Sequence, residues 1–258
     1  MDKSVKKQWC KALKNATFFL GYACAFLLVW TIVCKLVKNE YIFPPIRQVL
    51  NEAWNLLGEK FFYRAFFQSV LRALWAFLIA FVLAVGFAVL AKVFPFAKRV
   101  LAPIVAGLRA LPTMAIMLIL LIWTTPSGAP IIVAVLALIP VLYTGVSVAI
   151  STVDKSLEEM CRVYRVGLKK RIFLMYLPLS APYIVREASA GASFALKLVV
   201  SAEVLAYTFV SLGGMLQSSK IYMQTPRTFA LAFMLVLTGL LIESVGILLA
   251  RFVEGKVQ

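Results

Sequence analysis

Long apolar stretches separated by short basic ones set the pattern of this chain. Residues 16–34 and 73–91 are apolar runs flanked by lysine or arginine, and residues 110–153 carry no charge over 44 positions. A bilayer-crossing helix takes about 20 apolar residues, so the 44-residue stretch is too long for one span. Thr124-Thr125-Pro126-Ser127-Gly128 supplies turn residues that divide it into a hairpin. The pattern predicts helix three over 100–123 and helix four over 131–153, with Pro112 and Pro140 bending them. A fifth span over 187–209 and a sixth over 228–250 complete an all-α, polytopic membrane protein of six transmembrane helices. Between spans one and two, residues 35–72 are mixed, with Phe43-Pro44-Pro45 as a stiff corner; they read as an external interfacial segment. Gly213-Gly214 reads as an external turn.

Charge fixes the orientation. Lysine and arginine number 17 in the segments placed inside (1–15, the Lys92 turn, 154–186 and the C-terminus) and 8 in those placed outside. The excess puts both termini in the cytoplasm. Segment 1–15 is then a cytoplasmic N-terminal segment and 16–258 the transmembrane domain. The basic start and Ala23-Cys24-Ala25 mimic a signal peptide, but the apolar run continues past that site, so an uncleaved anchor is expected.

Composition narrows the function. The chain is 62% hydrophobic and 15% charged, with a net charge of +16 spread between apolar runs rather than over one face. That placement suits anionic lipid, not nucleic acid. There is no histidine, which removes Ser-His triads and His-containing metal motifs. The four cysteines form no Cys-x-x-Cys pair, and the only Gly-Lys, Gly255-Lys256, precedes valine, so no phosphate-binding loop exists. No metal, cofactor or catalytic residue is expected on this chain, and ATP-driven work would need another subunit.

The hydrophilic insertion 154–186 between helices four and five is the richest segment. Ser156-Leu157-Glu158-Glu159 has capping-box spacing. Leu157, Met160, Cys161, Tyr164 and Leu168 then repeat as one apolar helical face outside the membrane, which either docks a partner or packs back on the bundle. Glu159-Met160-Cys161, Arg165, Met175, Leu177 and Pro178 fall at the spacing of the signature Glu-Ala-Ala-x3-Gly-x9-Ile-x-Leu-Pro. In this the chain resembles inner-membrane permeases of binding-protein-dependent ABC importers. The stretch from Phe43 to Leu50, Leu108 to Pro112, and Lys197 to Glu203 before Ser211-Leu212-Gly213-Gly214 are similar to the nitrate, sulfonate and bicarbonate branch.

The resemblance implies a coupling segment that seats on an ATPase subunit, involving Ser156, Glu159, Met160, Cys161, Arg162, Tyr164, Arg165, Gly167, Leu177 and Pro178. Arg165 stands where the family has glycine, and Met160 and Cys161 replace its two alanines. If the turn needs φ > 0, Gly167 is the cheaper site. The plainer reading of Pro178 and Pro182 is that they end a helix and redirect the chain, which is compatible with the coupling role. The implied partners are an ABC ATPase dimer carrying ATP and Mg, an extracytoplasmic solute-binding protein, a second and identical permease chain, and lipid.

Lys197 and Glu203 are charges inside span five, set about 240° apart on the helix, so each must meet another helix, a partner or water. Lys197 on a translocation path would favour an anionic solute; an interhelix salt bridge or gate contact is the alternative. Arg109 is expected to snorkel, and Glu243 to pair with it or with Arg251. The rival function is an ion-coupled secondary transporter relaying protons through Glu203 and Glu243; a scaffold or sensor without transport is another.

Overall fold

The computed structural model describes Gly21 and residues 25–257, with side chains described as far as Phe252. Segment 1–15 and much of the predicted first span lie outside the described residues. Every regular element among those described is helical. In order they are α1 (Ala25–Val37), α2 (Ile46–Gly58), α3 (Lys60–Val93), α4 (Pro95–Ala110), α5 (Thr113–Trp123) and α6 (Ala129–Ser151). There follow α7 (Lys155–Val163), α8 (Leu168–Arg171), a π-helical turn (Ile172–Tyr176), α9 (Leu177–Ala206), α10 (Leu212–Ile221) and α11 (Thr225–Val257).

The chain divides into two compact units. The first takes the described residues up to Gly58 together with Ser219–Ala230. Its core is aromatic: the Trp30 ring lies 4.6 Å from Phe43 and 5.4 Å from Phe229, and its indole N–H donates to the Pro44 carbonyl at 3.1 Å. The indole thus buries its apolar body and satisfies its one donor, which fixes the proline corner that leads into α2.

The second unit, Glu59–Ser218 with Leu231 onward, is built on α3, α6 and α9. Ala65, Ser69, Ala73, Ala76, Ala80, Ala84 and Ala88 recur every third or fourth residue of α3 and are all buried. Such a stripe of small side chains lets helix backbones approach closely where lipid offers no hydrophobic driving force between helices. Met117, Ala129, Val133, Ala202 and Ala206 join α5, α6 and α9 in one cluster; Ala88, Val146, Ile150, Cys161, Met175, Tyr176 and Ile184 join α3, α6, α7, the π turn and α9 in another.

Among the described residues, four helical stretches are long and apolar enough to cross a membrane: Lys60–Val93, Ala129–Ser151, Leu168–Ala206 and Thr225–Phe252. A fifth is counted when α4 and α5, bent by 91° at their junction, are taken as one broken span. Helices four and six stand close to their predicted positions, and the division near Pro126 holds. Other expectations are corrected. The span predicted over 73–91 is the second half of a 34-residue helix, about 51 Å long, that begins at Lys60. Arg72 misled the boundary because a charge is read as a membrane edge, whereas here it is buried and neutralised inside the helix. Helix three is not merely curved: Leu111 and Pro112 leave the helix altogether, since proline restricts the residue before it to extended backbone. Pro140, by contrast, stays inside α6.

The fifth span was expected to start at 187, but the helical run extends back to Leu168 through the π turn. Pro178 and Pro182 therefore neither end a helix nor redirect the chain; both lie within the helical run, Pro178 just after the π turn. Gly213-Gly214 is not a turn but the first turn of α10. A Cβ on Gly213 would lie 2.6 Å from the Val200 carbonyl and the Val204 nitrogen, so the glycine is there for helix approach rather than for backbone freedom.

Candidate functional site: the α7 segment and a buried charge clamp

The α7 segment starts two residues earlier than its capping-box spacing predicts. Asp154, not Ser156, is the N-cap: its carboxylate accepts from the Ser156 backbone N–H at 2.9 Å. Asp and Ser are comparable caps, and the first in the chain that meets extended backbone takes the role. This hydrogen bond holds the Asp154 carboxyl below the usual carboxylate range. Lys92, in the last turn of α3, meets Glu158 at 2.7 Å.

The predicted apolar face divides. Leu157 and Cys161 pack back on the bundle, Cys161 Sγ lying 3.5 Å from Met175 Sδ. Met160, Val163 and Tyr164 are exposed, the last two at 78% and 76%, and Glu159, Arg162 and Arg165 are exposed around them. The nine-residue helix thus has one side packed on the bundle and a neighbouring side exposed. Leu177 and Pro178 are partly buried at the head of α9, so they support the segment from within rather than extending its exposed surface.

The exit from α7 corrects the glycine reading. Arg165 adopts φ 49°, the left-handed region, while Gly167 sits at an ordinary φ of −62°. The Val166 N–H reaches the Cys161 carbonyl at 2.9 Å and the Arg165 N–H the Arg162 carbonyl at 3.1 Å. This is the pair of bonds of a Schellman C-cap, with Arg165 at the position glycine normally takes. The bond pattern, not the local residue type, chooses which residue goes left-handed, which is why Gly167 two residues on goes unused.

A second constellation lies within the α3, α9 and α10 elements. Glu203 is fully buried; its Oε1 accepts from Arg72 Nη1 at 2.8 Å and its Oε2 from the Ser69 hydroxyl at 2.6 Å and the Gly213 N–H at 3.2 Å. Ser69 in turn accepts from the Leu212 N–H at 2.8 Å, and Arg72 also donates to the Val210 carbonyl at 3.3 Å. One carboxylate thus neutralises a buried arginine and caps the N-terminus of α10, where free N–H groups favour an anion. Tyr207, left-handed at φ 52°, reverses the chain so that α10 can present those groups.

Lys197 and Glu203 part ways. Lys197 is exposed, on a face of α9 that also holds Arg186, Ala190, Phe194 and Ser201 at helical spacing. Ser201 helps line an apolar cavity of about 290 Å³ with Thr113, Met117, Val133, Leu198 and Leu205. Arg109 donates to the Pro140 carbonyl at 3.3 Å and to the Thr144 hydroxyl rather than pairing with Glu243. Among the described residues no group of three or more Cys, Asp and Glu is placed to hold a metal ion.

Residues 76–258 match the description of the binding-protein-dependent transport system inner membrane component. The chain belongs to that family. It is a membrane permease subunit of ABC importers, and the permease fold recurs in solved structures. The permease superposes on a chain from "Crystal structure of an amino acid ABC transporter with histidines" with a TM-score of 0.64 at 14% identity, over 74% of this chain and 93% of that one. It superposes on a chain from the inward-facing MetNI methionine ABC transporter, native crystal form, with a TM-score of 0.60 at 17% identity, over 81% and 98%. No curated protein sequence matches the permease.

Sequence reasoning missed Arg72, Ser69, Asp154 and the Lys92–Glu158 contact. For Arg72 and Ser69 a signal existed: both fall within the alanine stripe of α3, the side that must face other helices. Asp154 was legible as an alternative cap two residues before Ser156. The Lys92–Glu158 contact had no sequence signal, since 66 residues separate the two.

Proposed function

We propose that the permease pairs with an identical copy and imports a small anionic or polar organic solute delivered by an extracytoplasmic binding protein, with α7 seated on the ATPase. The observation that carries this reading is the exposed surface of α7. Met160, Val163 and Tyr164 stand out from the bundle, ringed by Glu159, Arg162 and Arg165, and a short helix with an apolar centre and a charged rim suits a groove on a partner. Its inner side is already tied to the chain, so the outer side is free to couple.

The open face of α9 supports a translocation path between two copies. Lys197 and Arg186 lie on it, and a cation on a path favours an anion. Glu203 serves as a clamp in this reading: a carboxylate held by an arginine, a hydroxyl and a backbone N–H is poorly suited to relay protons, which disfavours the secondary-transporter alternative. Six spans follow if α1 belongs to the first and the bent α4–α5 pair forms the third. Both termini then lie on the cytoplasmic side of a bacterial inner membrane. The nitrate, sulfonate and bicarbonate branch is the preferred home within the family.

The test is a mild-detergent pull-down of the tagged chain, wild type beside Glu159→Lys. Retention of an ABC ATPase by the wild type and its loss from an intact Glu159→Lys chain is the expected outcome. Equal retention by both would overturn the role of α7.

A further inference from the structure

We propose that Lys92 is a positioning residue that transmits movement of α7 to the end of α3 and the base of α9. The inference rests on the reading of α7 as the ATPase-docking helix and adds how its motion enters the membrane bundle.

Lys92 touches two elements at once. Its ammonium is 2.7 Å from Glu158 of α7 and 5.4 Å from the ring centre of Tyr176 in the π turn. Tyr176 is 4% exposed and is gripped on another side by Arg171, whose guanidinium lies 5.9 Å from the ring centre and donates to the tyrosine oxygen at 3.2 Å. The Lys92–Glu158 pair is itself largely withdrawn from solvent, with side chains 27% and 21% exposed, so it is screened less than a surface pair.

The remaining ties of α7 to the bundle are apolar, through Leu157 and Cys161. Apolar contacts resist separation but are non-directional, so they permit a short helix to slide or roll. A charged contact fixes direction. Consecutive residues point about 100° apart on a helix, so Glu158 turns inward to Lys92 while Glu159 remains exposed for a partner. The two carboxylates divide the work: Glu159 faces the ATPase and Glu158 relays displacement to Lys92. At the other end of the relay, the π turn joins α8 to the 30-residue α9. Such turns are wider than an α-helix and recur at functional sites. Lys92 therefore holds α7, α3 and the head of α9 at one point.

The experiment uses the co-purified permease–ATPase complex, compared without nucleotide and after trapping with ATP, Mg and vanadate. Backbone hydrogen exchange is followed in peptides covering α7 and the last two turns of α3. In the wild type both should change on trapping. In Lys92→Gln the α7 change should persist while the α3 change falls by about fivefold, equivalent to about 1 kcal/mol at 1.4 kcal/mol per factor of ten. The charge swap Lys92→Glu with Glu158→Lys should restore it, and Lys92→Arg should retain it. An α3 response of wild-type size in Lys92→Gln, or a swap that leaves it lost while α7 still responds, overturns the proposal alone. No response at α7 in the wild type overturns the docking reading and this proposal with it.

Discussion

Replacing Arg72 by methionine would leave the Glu203 carboxylate inside the bundle with only two neutral donors, the Ser69 hydroxyl and the Gly213 N–H. Removing one partner of a buried ion pair costs about 3–5 kcal/mol, because the other charge stays desolvated without its counter-ion. For a chain of this size each kcal/mol moves the melting temperature by roughly 2–4 °C, so Arg72→Met should lower it by about 6–20 °C. Glu203→Met should also destabilise, since it strands Arg72 and uncaps the Gly213 N–H. The double variant Arg72→Met with Glu203→Met removes both charges; the Ser69 hydroxyl keeps its bond from the Leu212 N–H, so the Gly213 N–H is the orphan, worth about 1–3 kcal/mol. It should therefore melt above Arg72→Met. Thermal unfolding in detergent, followed by tryptophan fluorescence and by survival on size exclusion, measures all four proteins. A melting point for Arg72→Met within about 4 °C of wild type, or single-variant losses that simply add in the double, would refute the clamp.

Two further outcomes follow from the same structure. Arg165→Gly relieves a left-handed residue at the α7 C-cap and should stabilise the chain by about 1 kcal/mol, read as a rise in melting temperature; a fall would mean that the arginine side chain outweighs the backbone strain. Lys197→Ala should lower uptake of an anionic solute several-fold while leaving membrane expression and ATPase retention unchanged, measured in cells carrying the complete importer. A fall in expression that matches the fall in uptake would return Lys197 to a structural role.

The helical class, the membrane setting and the importer family were legible in the chain because they rest on local periodicity, on runs of apolar residues and on a motif within a single segment. The α7 helix and its apolar positions belong to this class of signal. So does the division near Pro126, where turn residues interrupt an uncharged stretch. Element ends were less legible wherever a charge sat inside a helix. Arg72 and the Arg186-Glu187 pair both resemble membrane borders when hydropathy is read along the chain, yet α3 and α9 run straight through them.

Local patterns along the chain therefore set the kind of object and its order of elements: helices with apolar faces, basic connectors, and a capped amphipathic segment carrying a recognisable signature. Which side chains meet is set by helix packing. Ser69, Arg72, Glu203 and Gly213 span 145 positions of the chain but share one carboxylate. Their assembly depends on the alanine stripe that draws α3 toward α9, a close approach that no local pattern encodes. The same holds for Lys92, Glu158 and Tyr176. Periodicity gives the face on which a residue lies, whereas burial of its charge, and hence its role, is set by the helix that packs against that face.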